Sequence, residues 1–300
     1  MAPVIEVADL VKSYGGRRVV DAMTFAVEAG EFFGILGPNG AGKTTALEIV
    51  EGLRKADSGT VRLLGESPWP RNLPLCRRIG VQLQASSFFD KLTAREQIRT
   101  FGELYGARRE APDELLDLVG LGDKADDRTD DLSGGQKQRL SIACTLVNDP
   151  EVVFLDEPTA ALDPQARRNL WDLLRAIRDR GCTVVLTTHH MEEAEELCDR
   201  VAIVDHGRLL ALDSPTALVR ALDVPVRIAL VAGNLDAAEA RAVAGVEDVT
   251  ETADSIELVT RTPAPVLTEL AERKVLEGLQ VHGATLEDVF LDLTGREYRA

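Results

Sequence analysis

The chain has 300 residues, 45% of them hydrophobic, with 34 Lys or Arg against 50 Asp or Glu for a formal net charge of −16. That length supports one large domain or two ordinary ones around a real core, in a folded rather than a disordered chain. Strong acidity argues against nucleic acid as a partner, no apolar run nears the roughly 18 residues of a membrane span, and the N-terminus lacks the apolar block of a signal peptide.

Short β-rich runs occur at 4–7, 19–27, 31–36, 79–83, 152–155, 183–187 and 201–204, with helical patterns at 44–53, 165–180 and 191–198. Strands alternating with helices predict an α/β fold with a largely parallel sheet. From 93 to 148 only helix signals appear, opening on the Thr93/Glu96 capping box and continuing through Ile98, Phe101, Leu104 and Tyr105. That stretch reads as an all-helical insert. After about residue 222 the pattern changes: Val226, Ile228 and Leu230 alternate like a strand, and Thr285 opens a helix that Gly295 stops. Residues 223–300 therefore read as a small α+β accessory domain behind a main domain at 1–222. Cys76, Cys144, Cys182 and Cys198 form no CxxC pair and suit reduced thiols.

Three motifs carry chemistry. GPNGAGKTT comprises Gly37, Pro38, Asn39, Gly40, Ala41, Gly42, Lys43, Thr44 and Thr45, and lies between an apolar strand and a helix. Such a loop turns its N–H groups inward onto a polyphosphate; Lys43 reaches the outer phosphates and Thr44 offers a hydroxyl to Mg²⁺. VVFLDEPT, at 152–159, brings an apolar strand to Asp156 and Glu157. There one carboxylate holds Mg²⁺ or its water shell and its neighbour orients an attacking water. LSGGQKQRL, at 132–140, opens a helix with Ser133, Gly134, Gly135 and Gln136. It reads as a well-capped helix, or as a second anion cradle beyond the one a single nucleotide requires. The acidic run 192–196 reads as a solvated helix face without chemistry.

These motifs, in this order, resemble those of the ATP-binding subunits of ABC transporters over residues 1 to about 222. The resemblance implies a P-loop ATPase core with an antiparallel β subdomain, and it places further residues. Tyr14 matches the aromatic that stacks on adenine. Gln84, ending IGVQLQ, matches the Q-loop glutamine, with a part in Mg²⁺ binding, catalysis and coupling. Asp163 matches the D-loop aspartate, and also suits a helix N-cap before Pro164. His189 matches the switch histidine and is favoured over His190 by the spacing to MEEAE. Ser133 to Gln136 becomes the signature, and Glu157 the catalytic glutamate.

The family implies ATP and Mg²⁺ as cofactors and a head-to-tail homodimer in which the signature of one copy meets the ATP held by the other. It also implies a separate membrane permease, with this chain peripheral on the cytoplasmic face. The ending ATLEDVFLDLTGRE (284–297) is similar to that of exporter ATPases of the daunorubicin/doxorubicin resistance type, in the ABC-2 group. The expected function is thus ATP hydrolysis powering export of a drug, antibiotic or lipid-like substrate. A non-transport ABC ATPase acting in soluble assembly or translation is the alternative. A GTPase is disfavoured by the absence of an N-K-x-D motif.

Overall fold

The computed structural model describes residues 2–82, 88–106, 111–252 and 254–295. The chain folds as two units, Met1–Pro215 and Thr216–Ala300, so the division falls at Pro215 rather than at the expected 222.

The first unit opens with β1 (Ile5–Tyr14), β2 (Arg17–Val27), β3 (Phe32–Leu36), α1 (Lys43–Val50), β4 (Ser58–Leu63), α2 (Leu73–Cys76) and β5 (Ile79–Gln82). The helical insert follows as α3 (Ala94–Tyr105), α4 (Ala111–Leu118) and α5 (Gly134–Thr145). The unit closes with β6 (Val152–Asp156), α6 (Pro164–Asp179), β7 (Thr183–Thr188), α7 (Met191–Leu197), β8 (Arg200–Asp205) and β9 (Arg208–Asp213).

Six strands form the main sheet in the order β5-β6-β7-β3-β8-β9. All neighbours are parallel except β9, which returns antiparallel to β8. Every residue of β3, β6 and β7 is buried. Buried on both faces, these strands are written as unbroken apolar runs instead of alternating ones. A second sheet, β2-β1-β4, is antiparallel throughout. One core joins the two sheets to α1: Ile5, Val7, Leu10 and Val20 pack with Phe33, Leu47 and Phe154.

In this unit two strands escaped the sequence reading, and both lie at sheet edges. β4 buries only Leu63 fully, and β9 is half-buried at most positions, so neither shows the contrast between faces that reveals a strand. In the insert, Thr93 and Glu96 close a reciprocal capping box and left-handed Gly106 ends α3. Ile98 is buried there, whereas Leu104 and Tyr105 are exposed.

In the second unit α8 (Pro215–Ala221) begins at the division, followed by β10 (Val226–Val231), α9 (Ala237–Arg241), β11 (Asp248–Glu251), β12 (Ser255–Thr260), α10 (Pro263–Glu272), β13 (Gln280–His282) and α11 (Leu286–Thr294). The sheet order is β11-β12-β10-β13, all antiparallel. Ile228, Leu230, Ile256 and Leu258 form a core with Val266 and Leu270 of α10. α11 starts at a Thr285/Asp288 capping box, buries Leu286, Val289 and Phe290, and stops at left-handed Gly295.

All four cysteines are free. Burial pushes the Cys144 and Cys182 thiols up to about 12 and raises Cys198 well above the ordinary thiol value. Among the described residues no helix is long and apolar enough to cross a membrane.

Candidate active site

Strand register brings the motifs together. In the main sheet Leu36 of β3 is level with Thr188 of β7, and Thr187 is level with Asp156 of β6. The glycine-rich loop after Leu36, the acid pair at the end of β6 and the histidines after β7 therefore leave the sheet at one end. Ligand sites in parallel sheets form at these carboxyl ends.

Residues 37–42 turn tightly from β3 into α1. A side chain on Gly37 would meet the Val204 carbonyl oxygen at 2.1 Å. Gly42 caps α1 with φ at 101°, and a Cβ there would lie 2.3 Å from the Val19 carbonyl oxygen. Both positions exclude any residue larger than glycine. Gly207 clamps the same turn, donating from its N–H to the Ala41 carbonyl at 2.9 Å. The α1 N-terminus thus presents backbone N–H groups and the positive end of the helix dipole.

Lys43 is 4% exposed, and its Nζ donates to the carbonyls of Gly37 and Pro38 at 2.8 and 3.1 Å. It also lies 3.1 Å from Glu157 Oε1. Thr44 Oγ1 donates to both Asp156 oxygens, at 3.1 and 3.0 Å. Thr187 binds both acidic residues: its hydroxyl donates to Asp156 Oδ1 and accepts the Glu157 backbone N–H at 3.0 Å. Glu157 itself has φ at 47°, a left-handed backbone that a non-glycine residue adopts at a cost and that recurs at active sites.

His189 Nδ1 lies 3.3 Å from Glu157 Oε2, and the His190 ring packs against the His189 ring. Burial, then the neighbouring His189 and Arg167, hold the His190 imidazole below its usual value.

The acidic run at 192–196 corrects an expectation, because Glu193 is fully buried rather than part of a solvated face. On short helix α7 it turns inward and accepts a hydrogen bond from Trp171 Nε1 at 3.3 Å. Burial raises its carboxyl, while the Thr188 and Thr159 hydroxyls, Trp171 and Arg167 oppose that shift.

Ser133 and Gln136 close a capping box at the start of α5, with Ser133 N–H donating to Gln136 Oε1 at 2.8 Å. Of the two glycines between them, Gly134 has open space where a side chain would be, whereas Gly135 packs against Ala166 and Leu162. Asp163 caps α6, accepting from Ala166 N–H at 2.9 Å. Tyr14 ends β1 and is 40% exposed, with Lys12 Nζ and the Arg54 guanidinium 5.4 and 5.5 Å from its ring centre. Gln84 lies outside the described residues.

Thr187 and Glu193 carry no motif of their own, and only the fold brings them to the site. The same holds for Glu51 at the end of α1: burial, then Asp156 and Glu48, push its carboxyl up to about 8.

One carboxylate and one hydroxyl converge at Asp156 and Thr44, and among the described residues no group of three or more His, Cys, Asp or Glu is arranged to hold a metal ion. These hard oxygens fit Mg²⁺, which takes few protein ligands and completes its shell with water and phosphate.

Residues 20–160 match the family model described as ABC transporter. Over 98% of its length the chain is 43% identical to Nod factor export ATP-binding protein I of Paraburkholderia xenovorans, covering 97% of that relative. It belongs to the ATP-binding proteins of ABC transporters. The protein of the same name from Sinorhizobium fredii is 42% identical over 98% of this chain and 87% of its own length. Among solved structures, cbiO1 from Clostridium perfringens, part of the ABC transporter complex cbiONQ, aligns with a TM-score of 0.67 and 27% identity over 73% of this chain and 95% of its own. An ATP-binding subunit of an ABC transporter aligns at 0.66, again with 27% identity, over 73% and 93%. As a member of this family, the chain binds and hydrolyses ATP to power transport.

Proposed function

We propose that the chain is the ATPase of an exporter, working as a head-to-tail homodimer on a separate membrane permease at the cytoplasmic face. The observation that carries the catalytic part is the convergence of Lys43, Thr44, Asp156, Glu157 and His189 at one end of the sheet. In this reading the Lys43 ammonium, the N–H groups of residues 37–45 and the α1 dipole hold the triphosphate of ATP. Tyr14 stacks on adenine. Asp156 and Thr44, with Gln84, hold Mg²⁺, which when bound offsets phosphate charge. Glu157 orients and polarises the attacking water, and His189 bonds the terminal phosphate.

A single chain supplies one complete phosphate site and one further anion cradle, at Ser133 to Gln136. Pairing two copies head to tail lets each cradle, together with Asp163, close over the other copy's ATP. The export direction rests on relatives named for Nod factor export that match 98% of this chain, and the same likeness disfavours the soluble-assembly alternative. A drug, antibiotic or lipid-like substrate, in the manner of the daunorubicin/doxorubicin type, fits the ending at 284–297. Nucleic acid is not a partner.

The test is co-expression with a candidate permease of about six apolar spans, detergent extraction, and transport by inside-out vesicles. Co-purification and ATP-dependent uptake that Glu157→Gln abolishes support the reading. A chain that hydrolyses ATP equally well alone and never co-purifies with a membrane protein overturns the export assignment.

A further inference from the structure

Thr187 is fully buried in the middle of an apolar sheet. A hydroxyl in such a place is unfavourable unless its hydrogen bonds are made. It has one proton to give and lone pairs to accept with, and the structure uses both kinds. The proton goes to Asp156 Oδ1, since a carboxylate only accepts, and a lone pair takes the Glu157 N–H at 3.0 Å. The Glu157 N–H is shared with the Thr187 carbonyl at 3.2 Å. One side chain therefore ties the carboxylate of the first acidic residue to the backbone of the second. That second backbone is the left-handed one, with φ at 47°.

The other hydroxyl on Asp156 belongs to Thr44, which donates to both its oxygens. Where Thr44 and Asp156 turn their oxygens to a cation, the Thr44 donor is lost to Asp156 and the Thr187 donor remains. Valine would fill the same volume and favour the same strand, so packing does not call for threonine here.

We propose that Thr187 is a positioning residue for ATP hydrolysis: its single hydroxyl sets the orientation of the Asp156 carboxylate toward the cation and holds the Glu157 backbone in its left-handed form. Groups that orient a metal-binding carboxylate are typically worth about 10- to 100-fold in metal affinity or activity. This rests on the roles given above to Asp156 and Glu157.

The test compares Thr187→Val, Thr187→Ser and wild type in the full chain. Three quantities are read: kcat and KM for ATP, the Mg²⁺ concentration that half-saturates ATP binding, and ATP affinity in EDTA. Thr187→Val is expected to lower kcat about 10- to 100-fold and to raise the half-saturating Mg²⁺ about tenfold. Its EDTA affinity should stay within about twofold of wild type, because the loop and Lys43 are untouched. Thr187→Ser, which keeps the hydroxyl, should recover both losses. Thr187→Ala repeats the comparison if the valine chain does not fold. Wild-type kcat and Mg²⁺ dependence in the valine or alanine variant overturn the proposal, as does a serine variant equally impaired. Glu157→Gln separates this from the underlying reading: if it too leaves turnover intact, the assignment of the acid pair fails, not only that of Thr187.

Discussion

Lys43 Nζ lies 3.1 Å from Glu157 Oε1, and the two side chains are only 4% and 9% exposed. The lysine proposed to hold phosphate and the acid proposed to orient water are thus partners of each other. ATP has to draw the ammonium from that carboxylate and from the carbonyls of Gly37 and Pro38. Glu157→Gln weakens the competitor, so we expect ATP to bind several-fold more tightly, on the order of 1 kcal/mol. Turnover should fall by about 10²- to 10⁴-fold, the usual worth of a general base. Calorimetry and phosphate release check both, and size exclusion with ATP and Mg²⁺ should show a trapped dimer. Weaker ATP binding by the variant counts against the competition.

Lys43→Ala takes away the cation while leaving the glycine turn and the α1 N-terminus in place. ATP turnover should fall by at least about 100-fold, in line with losing one preorganised charge contact. Near-normal hydrolysis would overturn the assignment of the loop.

Glu51 makes stability depend on pH. Its carboxyl sits at about 8 in the fold against 4.5 ordinarily. Between those values the folded chain holds a proton that the unfolded chain has released. Stability therefore falls as pH rises from 4.5 through about 8, and levels off above. Glu51→Gln removes the ionisation, so the variant should melt above wild type at about pH 9, with the gap closing toward pH 5. An unchanging gap across that range would show that titration is not its cause.

Glu193 predicts a contrast between two substitutions. Glu193→Ala orphans the buried Trp171 N–H and leaves a cavity, and should cost about 2–4 kcal/mol in urea unfolding. Glu193→Gln keeps an acceptor and should stay within about 1 kcal/mol of wild type. Equal losses would mean that the charge, and not the hydrogen bond, matters.

Much of the site was legible because its parts are contiguous. A glycine turn between an apolar strand and a helix, or a strand ending in Asp156 and Glu157, declares itself in a few letters. Thr187 and Glu193 do not, because their partners lie in other elements and only strand register or helix orientation brings them near. The acidic run was misread for the same reason: 192–196 is uniformly charged on paper, and the short α7 turns only one of those carboxylates inward. The α/β alternation was plain where strands are buried on both faces. It failed at β4 and β9, whose edge positions leave the residues half in water.

The raised thiols have a practical consequence. Maleimide chemistry needs thiolate, and Cys144, Cys182 and Cys198 hold their protons far above neutral pH. With Cys76 replaced by serine, a cysteine placed at an exposed position such as Leu104 should be the one thiol that labels quickly. Optical or spin reporters of the helical insert then become practicable while Cys144, Cys182 and Cys198 stay in place.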